Sequence, residues 1–212
     1  MALPEFILNG YKDWKENNYP KNSKLHERLA DLGQKPKAMI ISCCDSRVDP
    51  NTIFKAQIGD FFTHKNIANI VPPYATYKSN YGTFSALEYG ITALKIPNII
   101  VLGHSCCGGI KYAYQKFTNQ LLENNNSFVD EWVNYVKPAY DILDKNQSYD
   151  NIIKSLEKNN ITNSIKNLLQ FPFINNLILQ NKLKIHGLWF EISSGDLMYY
   201  DEKTTDFKKI IL

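Results

Sequence analysis

The sequence lacks long hydrophobic runs, blocks of one charge and scattered cysteines, and each absence excludes a class of protein. No stretch approaches the roughly 18 apolar residues of a membrane span, and the N-terminus has no cationic segment followed by an apolar run. The 24 basic and 21 acidic residues are interspersed and give a net charge of +3, which gives little support to a nucleic-acid or membrane partner. These features predict a soluble, cytoplasmic protein.

The four cysteines occur as two adjacent pairs, unlike the scattered spacing of a secreted disulfide framework. Cys43 is followed directly by Cys44, and Cys106 by Cys107. In a cytosolic enzyme, clustered cysteines indicate metal binding or catalysis. A thiol-redox protein is an alternative, but it predicts a Cys-x-x-Cys pair and the sequence has none.

Strands and helices alternate along the first half of the chain. Residues 37–43 and 98–103 are apolar runs of the length of buried strands, and residues 61–64 form a further candidate strand. Residues 81–95 predict a helix with one apolar face, and the tail over 183–200 predicts two strands. This order predicts an α/β fold, with a mainly parallel β-sheet core flanked by helices and an added C-terminal antiparallel strand.

The length of 212 residues suits a single domain with its own core, and we expect the whole chain to form it. Residues 1–35 are interpreted as an N-terminal helical arm, with helices over 5–17 and 22–32 that are separated at Tyr19-Pro20. Gly33 is placed to end the second helix. The arm has too little chain to form a core alone, so we expect it to serve in dimerisation.

Each cysteine pair follows a predicted buried strand. The strand over 37–43 ends at Cys43, and the strand over 98–103 is followed by His104 and then by Cys107. Neighbouring parallel strands lie about 4.8 Å apart, so loops that leave the same sheet edge can bring two thiolates and one imidazole to a single ion. This ligand set is typical of Zn²⁺, and a fourth position left open to water is typical of a catalytic site.

Chemistry alone does not settle which cysteine of each pair binds the metal. We favour Cys43, the last strand residue, because Cys44 would point to the opposite side of the pleat. We favour Cys107 because its spacing from His104 gives a comfortable chelate. If Cys44 or Cys106 were a fourth permanent ligand, the site would be a closed structural one, as in a zinc-stapled binding module.

The pattern Cys-x-Asp-x-Arg over 43–47, followed by His-x-x-Cys-Gly-Gly over 104–109, resembles the signature of the β-class carbonic anhydrases. Further similar segments occur along most of the chain, over 33–36, 66–73, 86–89 and 186–187. The resemblance implies hydration of carbon dioxide to bicarbonate and a proton, with zinc as the cofactor. It also implies a homodimer or a tetramer, with carbon dioxide and bicarbonate as the small-molecule partners.

By this resemblance Cys43, His104 and Cys107 are the zinc ligands, and Asp45 and Arg47 are the catalytic pair. Arg47 can hold the Asp45 carboxylate bidentately, off the metal but within hydrogen-bond reach of its water. In the three-histidine carbonic anhydrases zinc lowers the pKa of that water to about 7. Two thiolates should leave the water less acidic here. When Asp45 leaves Arg47 at low pH, it becomes a further metal ligand.

The resemblance also places Gln34, Phe62, Tyr89 and Gly108 along the substrate cleft, partly across a dimer interface. An apolar slot with a single amide suits a linear apolar molecule. Carbonyl sulfide and carbon disulfide are alternative substrates of the same shape, and an assay with each would separate them.

One branch of the family has a bicarbonate switch, built from a tryptophan three residues before the first ligand cysteine and an arginine before the conserved asparagine. The corresponding residues here are Ile40 and Lys65. Neither offers an indole or a bidentate guanidinium to bicarbonate. We therefore expect the site to rest open.

Overall fold

The computed structural model describes residues 2–120 and 127–211, in which six strands form one sheet. In chain order these strands are Ala38–Cys43 (β1), Phe61–Asn66 (β2), Asn98–His104 (β3), Lys184–Phe190 (β4), Leu197–Asp201 (β5) and Asp206–Lys209 (β6). Their order across the sheet is β2-β1-β3-β4-β5-β6, with β1 to β4 parallel and both β5 and β6 antiparallel to their neighbours. The predicted fold class is confirmed, with β6 as a second antiparallel strand.

Helices surround the parallel part of this sheet. Within the described residues the α-helices are Glu5–Asp13 (α1), Tyr19–Leu32 (α2), Pro50–Ile53 (α3), Tyr81–Glu88 (α4), Gly108–Phe117 (α5), Phe128–Val133 (α6), Lys137–Asp141 (α7), Tyr149–Leu168 (α8) and Pro172–Leu179 (α9). The helix predicted over 81–95 is α4 extended by a π-helical turn over Tyr89–Ala93. The longest helix, α8, packs on β3 and β4.

The core follows the alternation of side chains along β1. Met39 and Ile41 pack in one cluster with residues of α4, α8 and α9, whereas Ala38 and Ile40 belong to a cluster on the opposite face. All six residues of β1 are buried, as expected of a central parallel strand covered on both faces.

The N-terminal arm is continuous helix, so the predicted separation at Tyr19-Pro20 is wrong. A π-helical turn over Trp14–Asn18 joins α1 to α2, and the intervening residues keep right-handed helical angles. Pro20 lies in the first turn of α2, where the wide π-helical turn accommodates its ring and its missing N–H. Gly33 ends α2 with φ of 73°, as predicted.

The loop after β1 leads into α3. The Asp49 side chain accepts hydrogen bonds from the backbone amide and the hydroxyl of Thr52, and Pro50 begins the helix. This cap fixes the end of the loop that carries Asp45 and Arg47.

No helix in the part of the chain that the structure describes is both long enough and apolar enough to cross a membrane.

Candidate metal centre

The sheet brings both cysteine pairs to one edge. β1 and β3 are parallel neighbours, with Ser42 opposite Leu102, so that the last residues of the two strands, Cys43 and His104, lie at the same edge of the sheet. Cys107 follows on the tight turn that leads into α5, where it is the residue before the first helical position. The predicted position beyond the carboxyl ends of parallel strands is confirmed.

Three ligand atoms meet at this edge. The sulfurs of Cys43 and Cys107 and a ring nitrogen of His104 all lie within 4.8 Å of one another, and all three residues are buried. Cys44 and Cys106 are exposed, and neither belongs to this or another candidate ligand cluster among residues 2–120 and 127–211. The structure therefore assembles the favoured pair of cysteines and lacks the fourth cysteine of a closed site.

The ring of His104 is oriented for metal binding. Its Nδ1 lies 2.9 Å from the backbone carbonyl of Ser105, and a carbonyl oxygen only accepts, so the proton is on Nδ1. Nε2 then carries a free lone pair, and this buried atom has no hydrogen-bond partner among the described residues. A ligand histidine held through its other nitrogen is typical of zinc sites.

The two buried thiols fit a divalent cation between them. Their sulfurs are 3.9 Å apart, and two sulfurs on a tetrahedral zinc, each at about 2.3 Å, would lie about 3.8 Å apart. A hydrogen bond from Cys107 lowers the pKa of Cys43, while the same contact raises the pKa of Cys107. The thiolate of Cys43 thus disfavours ionisation of Cys107. A cation bound between the two sulfurs would offset the repulsion between two thiolates.

Asp45 lies beside the ligands and is held by Arg47. Its Oδ1 accepts from Nε of Arg47 at 2.9 Å and from the Arg47 backbone amide at 3.0 Å, while its Oδ2 accepts from Nη2 at 2.7 Å. Arg47 also donates to the carbonyl of Cys106 at 3.2 Å. These hydrogen bonds from Arg47 hold the pKa of Asp45 far below its usual value. Asp45 Oδ2 remains 3.9 Å from Nε2 of His104, so it faces the site without being one of the clustered ligand atoms.

The four residues assigned to the substrate cleft do not all meet at this site. The rings of Phe62 and Tyr89 are 6.1 Å apart, but Phe62 pairs with Met39, four residues along β1 from Cys43, or about 13 Å at the rise of a strand. Gln34 lies in the exposed segment between α2 and β1. Gly108 begins α5, and a Cβ at this residue would have no other atom within 4 Å.

The loop after β2 approaches the site from the side of Cys43. The backbone amide of Ala68 donates to Cys43 Sγ at 3.4 Å. Ala68 and Asn69 have φ of 62° and 46°, a left-handed conformation that alanine rarely adopts. The side chain of Asn66 spans this turn by bonding both the amide and the carbonyl of Ile70, which helps to hold the strained segment.

Sequence reasoning missed the buried polar residues of α8, of which Glu157 is nearest to the metal ligands. Its carboxylate accepts the backbone N–H of Cys107 at 3.0 Å and the indole N–H of Trp189 at 3.2 Å. Burial raises the pKa of Glu157 to about 7. Glu, Asn and Ser at helical spacing in an Asn/Lys-rich segment resemble a solvated face, and only the packing of α8 shows that they point inward.

Comparisons with known proteins agree with this geometry. A sequence model described as carbonic anhydrase matches residues 38–197. The chain is 40% identical over 207 residues to "Beta carbonic anhydrase 3" of Arabidopsis thaliana, covering 95% of this chain and 79% of that protein. It is 32% identical to a carbonic anhydrase of Synechococcus elongatus, covering 94% and 72%.

Solved structures agree as well. The β-carbonic anhydrase CcaA matches with a TM-score of 0.84 at 31% identity, covering 97% of this chain and 91% of that one. A tetrameric β-carbonic anhydrase of Sordaria macrospora matches with a TM-score of 0.77 at 28% identity, covering 92% and 94%.

Proposed function

This chain belongs to the β class of the carbonic anhydrases, and we propose that Asp45 and Arg47 orient the reacting water in its zinc-dependent hydration of carbon dioxide. The observation that carries this assignment is the position of Asp45 Oδ2. It lies 3.9 Å from the unpartnered Nε2 of His104 while Arg47 holds the same carboxylate.

Cys43, His104 and Cys107 would hold the zinc, since their donor atoms converge in a buried cluster. Bound there, zinc is a Lewis acid that makes a water molecule nucleophilic near neutral pH. Two thiolates and a neutral imidazole leave the cation with little net charge, which suits a site that must release an anionic product.

Asp45 acts as a hydrogen-bond acceptor throughout. Because Arg47 keeps its pKa far below the usual range, the carboxylate is ionised at neutral pH and accepts a proton-bearing group at Oδ2. The side chain of Arg47 bonds both carboxylate oxygens, and Oδ2, at 3.9 Å from Nε2 of His104, is the oxygen beside the ligand cluster. Asp45 can join the ligands only after these bonds break, as we propose for low pH.

We propose that Gln34, Phe62, Tyr89 and Gly108 contact the substrate, and that the first three do so in the site of a second subunit. The distance along β1 between Phe62 and Cys43 supports this division, because it separates the aromatic pair from the metal centre of the same chain. Gly108 borders the chain's own site, immediately after Cys107.

A homodimer, or a tetramer made from two of them, accounts for the exposed apolar surface. No residue of α1, α2 or the turn between them is buried. Apolar side chains are among the exposed ones, since Phe6 is 74% and Leu8 is 50% exposed. A monomeric soluble protein rarely leaves such a helical surface uncovered. The similar protein of Sordaria macrospora is described as a tetramer, which supports the proposal.

We further propose that residues 1–212 form one domain that works in the cytoplasm. All four cysteines are unpaired thiols, which is the state that a reducing compartment maintains.

The activity is tested by stopped-flow measurement of carbon dioxide hydration on zinc-loaded and chelator-stripped protein. Stripping should abolish turnover and added zinc should restore it. Asp45→Asn should lower kcat by about 10²- to 10⁴-fold, the usual contribution of a positioned proton acceptor, with zinc content unchanged. Undiminished turnover in Asp45→Asn would refute its assigned role, and carbonyl sulfide assayed in parallel reports on the alternative substrate.

The shared site is tested by mixing two inactive variants. Cys107→Ser lacks metal but keeps the Tyr89 ring, whereas Tyr89→Ala keeps the metal but lacks that ring. Mixed dimers contain one site with both parts, so activity should reappear on mixing. If each variant stays as inactive in the mixture as alone, Tyr89 serves its own chain.

The assembly is tested by Leu8→Asp, which we expect to shift the protein toward monomer in light scattering. Leu179→Asp changes a leucine of α9 that is even more exposed but lies outside the arm, and it serves as the control. A monomeric wild-type enzyme at assay concentration would contradict the proposal.

A further inference from the structure

A row of buried polar side chains runs along one side of α8. Glu157, Asn160, Ser164 and Asn167 recur at helical spacing, and each is between 0% and 5% exposed. Polar groups are buried at a cost unless each is hydrogen-bonded. Each of these four residues makes at least one bond that leads away from α8 to a loop at the edge of the sheet.

Glu157 fixes the second ligand loop. Its Oε1 accepts the backbone N–H of Cys107 and its Oε2 accepts Nε1–H of Trp189. The first bond ties the N-terminal end of α5, where Cys107 turns its sulfur to the metal site, to the middle of α8. The second bond sets the orientation of the carboxylate by anchoring it to β4.

Asn160 fixes the loop that contacts the first ligand. Its Nδ2 donates to the carbonyl of Ala68 at 2.8 Å, and the amide of Ala68 donates to Cys43 Sγ at 3.4 Å. Ala68 has φ of 62°, so its conformation is unfavourable by itself and depends on such partners. Gly109 of α5 lies close to Ala68, since a Cβ at Gly109 would meet Cβ of Ala68 at 3.1 Å.

Asn167 offers a contrast on the same helix. It makes the same kind of bond as Asn160, from Nδ2 to the carbonyl of Val71 at 2.8 Å. Val71 has no described contact with a ligand sulfur. The two asparagines therefore differ in what their loop residue touches and hardly differ in burial or in bond length.

We propose that Glu157 and Asn160 are positioning residues for the metal, each holding one of the two ligand thiolates from α8. Glu157 acts through the backbone of Cys107, and Asn160 acts through the N–H of Ala68 on Cys43. The inference rests on the proposed zinc ligands. Partners of this kind orient the ligand atoms and usually change metal affinity by about 10- to 100-fold when they are removed.

The first test uses the unmodified chain loaded with cadmium-113. Nuclear magnetic resonance should show a scalar coupling between the metal and the amide proton of Ala68, transmitted through the hydrogen bond to Cys43 Sγ. Absence of this coupling in the fully loaded protein would overturn the Ala68 step. Metal stoichiometry, measured on the same sample, tests the ligands separately, so failure of the proposed function and failure of the inference remain distinguishable.

The second test compares zinc release to a chromogenic chelator. Asn160→Ala should release zinc about 10- to 100-fold faster than the wild type, and its cobalt form should show a shifted sulfur-to-metal charge-transfer band. Asn167→Ala, the matched control, should leave both readouts near wild type even if it lowers the unfolding temperature. If zinc release accelerates equally in both variants, or does not accelerate in either, Asn160 is only a packing residue.

The Glu157 step has its own rescue experiment. Glu157→Gln leaves one acceptor oxygen for two donors, the amide of Cys107 and the indole of Trp189, so zinc release should accelerate. Adding Trp189→Phe removes the competing donor and allows the glutamine oxygen to serve Cys107, so release should slow again relative to Glu157→Gln. If the double variant releases zinc as fast as Glu157→Gln or faster, Glu157 does not act through Cys107.

Discussion

The sulfur atoms of Cys43 and Cys107 lie 3.9 Å apart although the two residues are 64 positions apart in the sequence. Two sulfurs this close repel once both are ionised, and each is buried. Without a bound cation, ionising the second thiol therefore carries an electrostatic cost, and Cys107 keeps its proton. Metal binding and the local order of this sheet edge should depend on each other.

The first prediction concerns the choice within each cysteine pair. Cys43→Ser and Cys107→Ser should lose most of their zinc, because about 10–16 kcal/mol of binding in a structural zinc site, shared by its four ligands, makes each ligand worth roughly 2.5–4 kcal/mol, on the order of 100-fold in affinity or more. Cys44→Ser and Cys106→Ser are the matched controls, since both side chains are exposed and outside the cluster. Zinc content by atomic emission decides, and full zinc in Cys107→Ser would mean that its neighbour binds the metal.

The second prediction concerns the pair of Asp45 and Arg47. Arg47→Ala removes both side-chain bonds to the carboxylate, so Asp45 is free to turn toward the metal and block it. We expect turnover to be abolished, with zinc retained and the cobalt spectrum altered. Arg47→Lys keeps the charge without the bidentate fork, so its turnover should lie between those of the wild type and Arg47→Ala. An active Arg47→Ala enzyme with an unchanged cobalt spectrum would contradict this arrangement.

The third prediction concerns bicarbonate. Ile40 is fully buried in the sheet, and Lys65 donates to the carbonyl of Val48 at 3.1 Å, so neither offers a preformed anion pocket. Bicarbonate should therefore not favour a closed state, and activity should rise with pH as a single-proton titration. Rates measured across pH, with and without added bicarbonate, test this. A steeply cooperative profile, or an alkaline crystal structure with Asp45 on the metal, would show that the site closes.

The fourth prediction concerns stability and pH at the cap of α3. The hydroxyl of Thr52, which donates to the carboxylate, lowers the pKa of Asp49. The ionised Asp49 carboxylate therefore stabilises the fold fully above the ordinary carboxyl pKa, about pH 4. This stabilisation is lost as the pH falls through the lower pKa that Asp49 has in the folded state. Asp49→Ala should cost about 1 kcal/mol of unfolding free energy near neutral pH, and less at about pH 3.

Denaturant unfolding of wild type and variant at each pH measures that difference, and acid release of metal affects both proteins alike. Asp49→Asn keeps an uncharged cap and serves as the control, with a smaller cost at neutral pH. A cost for Asp49→Ala that grows on acidification would mean that the carboxylate is not stabilised in its ionised form.

The sequence by itself determined the strands that carry the site and the types of residue at their ends. Buried parallel strands are continuous apolar runs, so residues 37–43 and 98–103 predict β1 and β3 nearly to their ends. The spacing between His104 and Cys107 is local, and the signature around them is specific. These features depend on near neighbours along the chain, which a sequence pattern records directly.

Only the tertiary structure decided how the ligands are supported and how far the aromatic residues lie from them. Glu157 contacts a residue 50 positions away, and Asn160 one 92 positions away, so no local pattern distinguishes them from a solvated helix face. The distance of Phe62 from Cys43 follows from the register of β1 and β2. The continuous arm depends on a π-helical turn that accommodates Pro20. Each of these results is set by packing and hydrogen bonding between distant segments, whose free energy is realised only when the chain has folded.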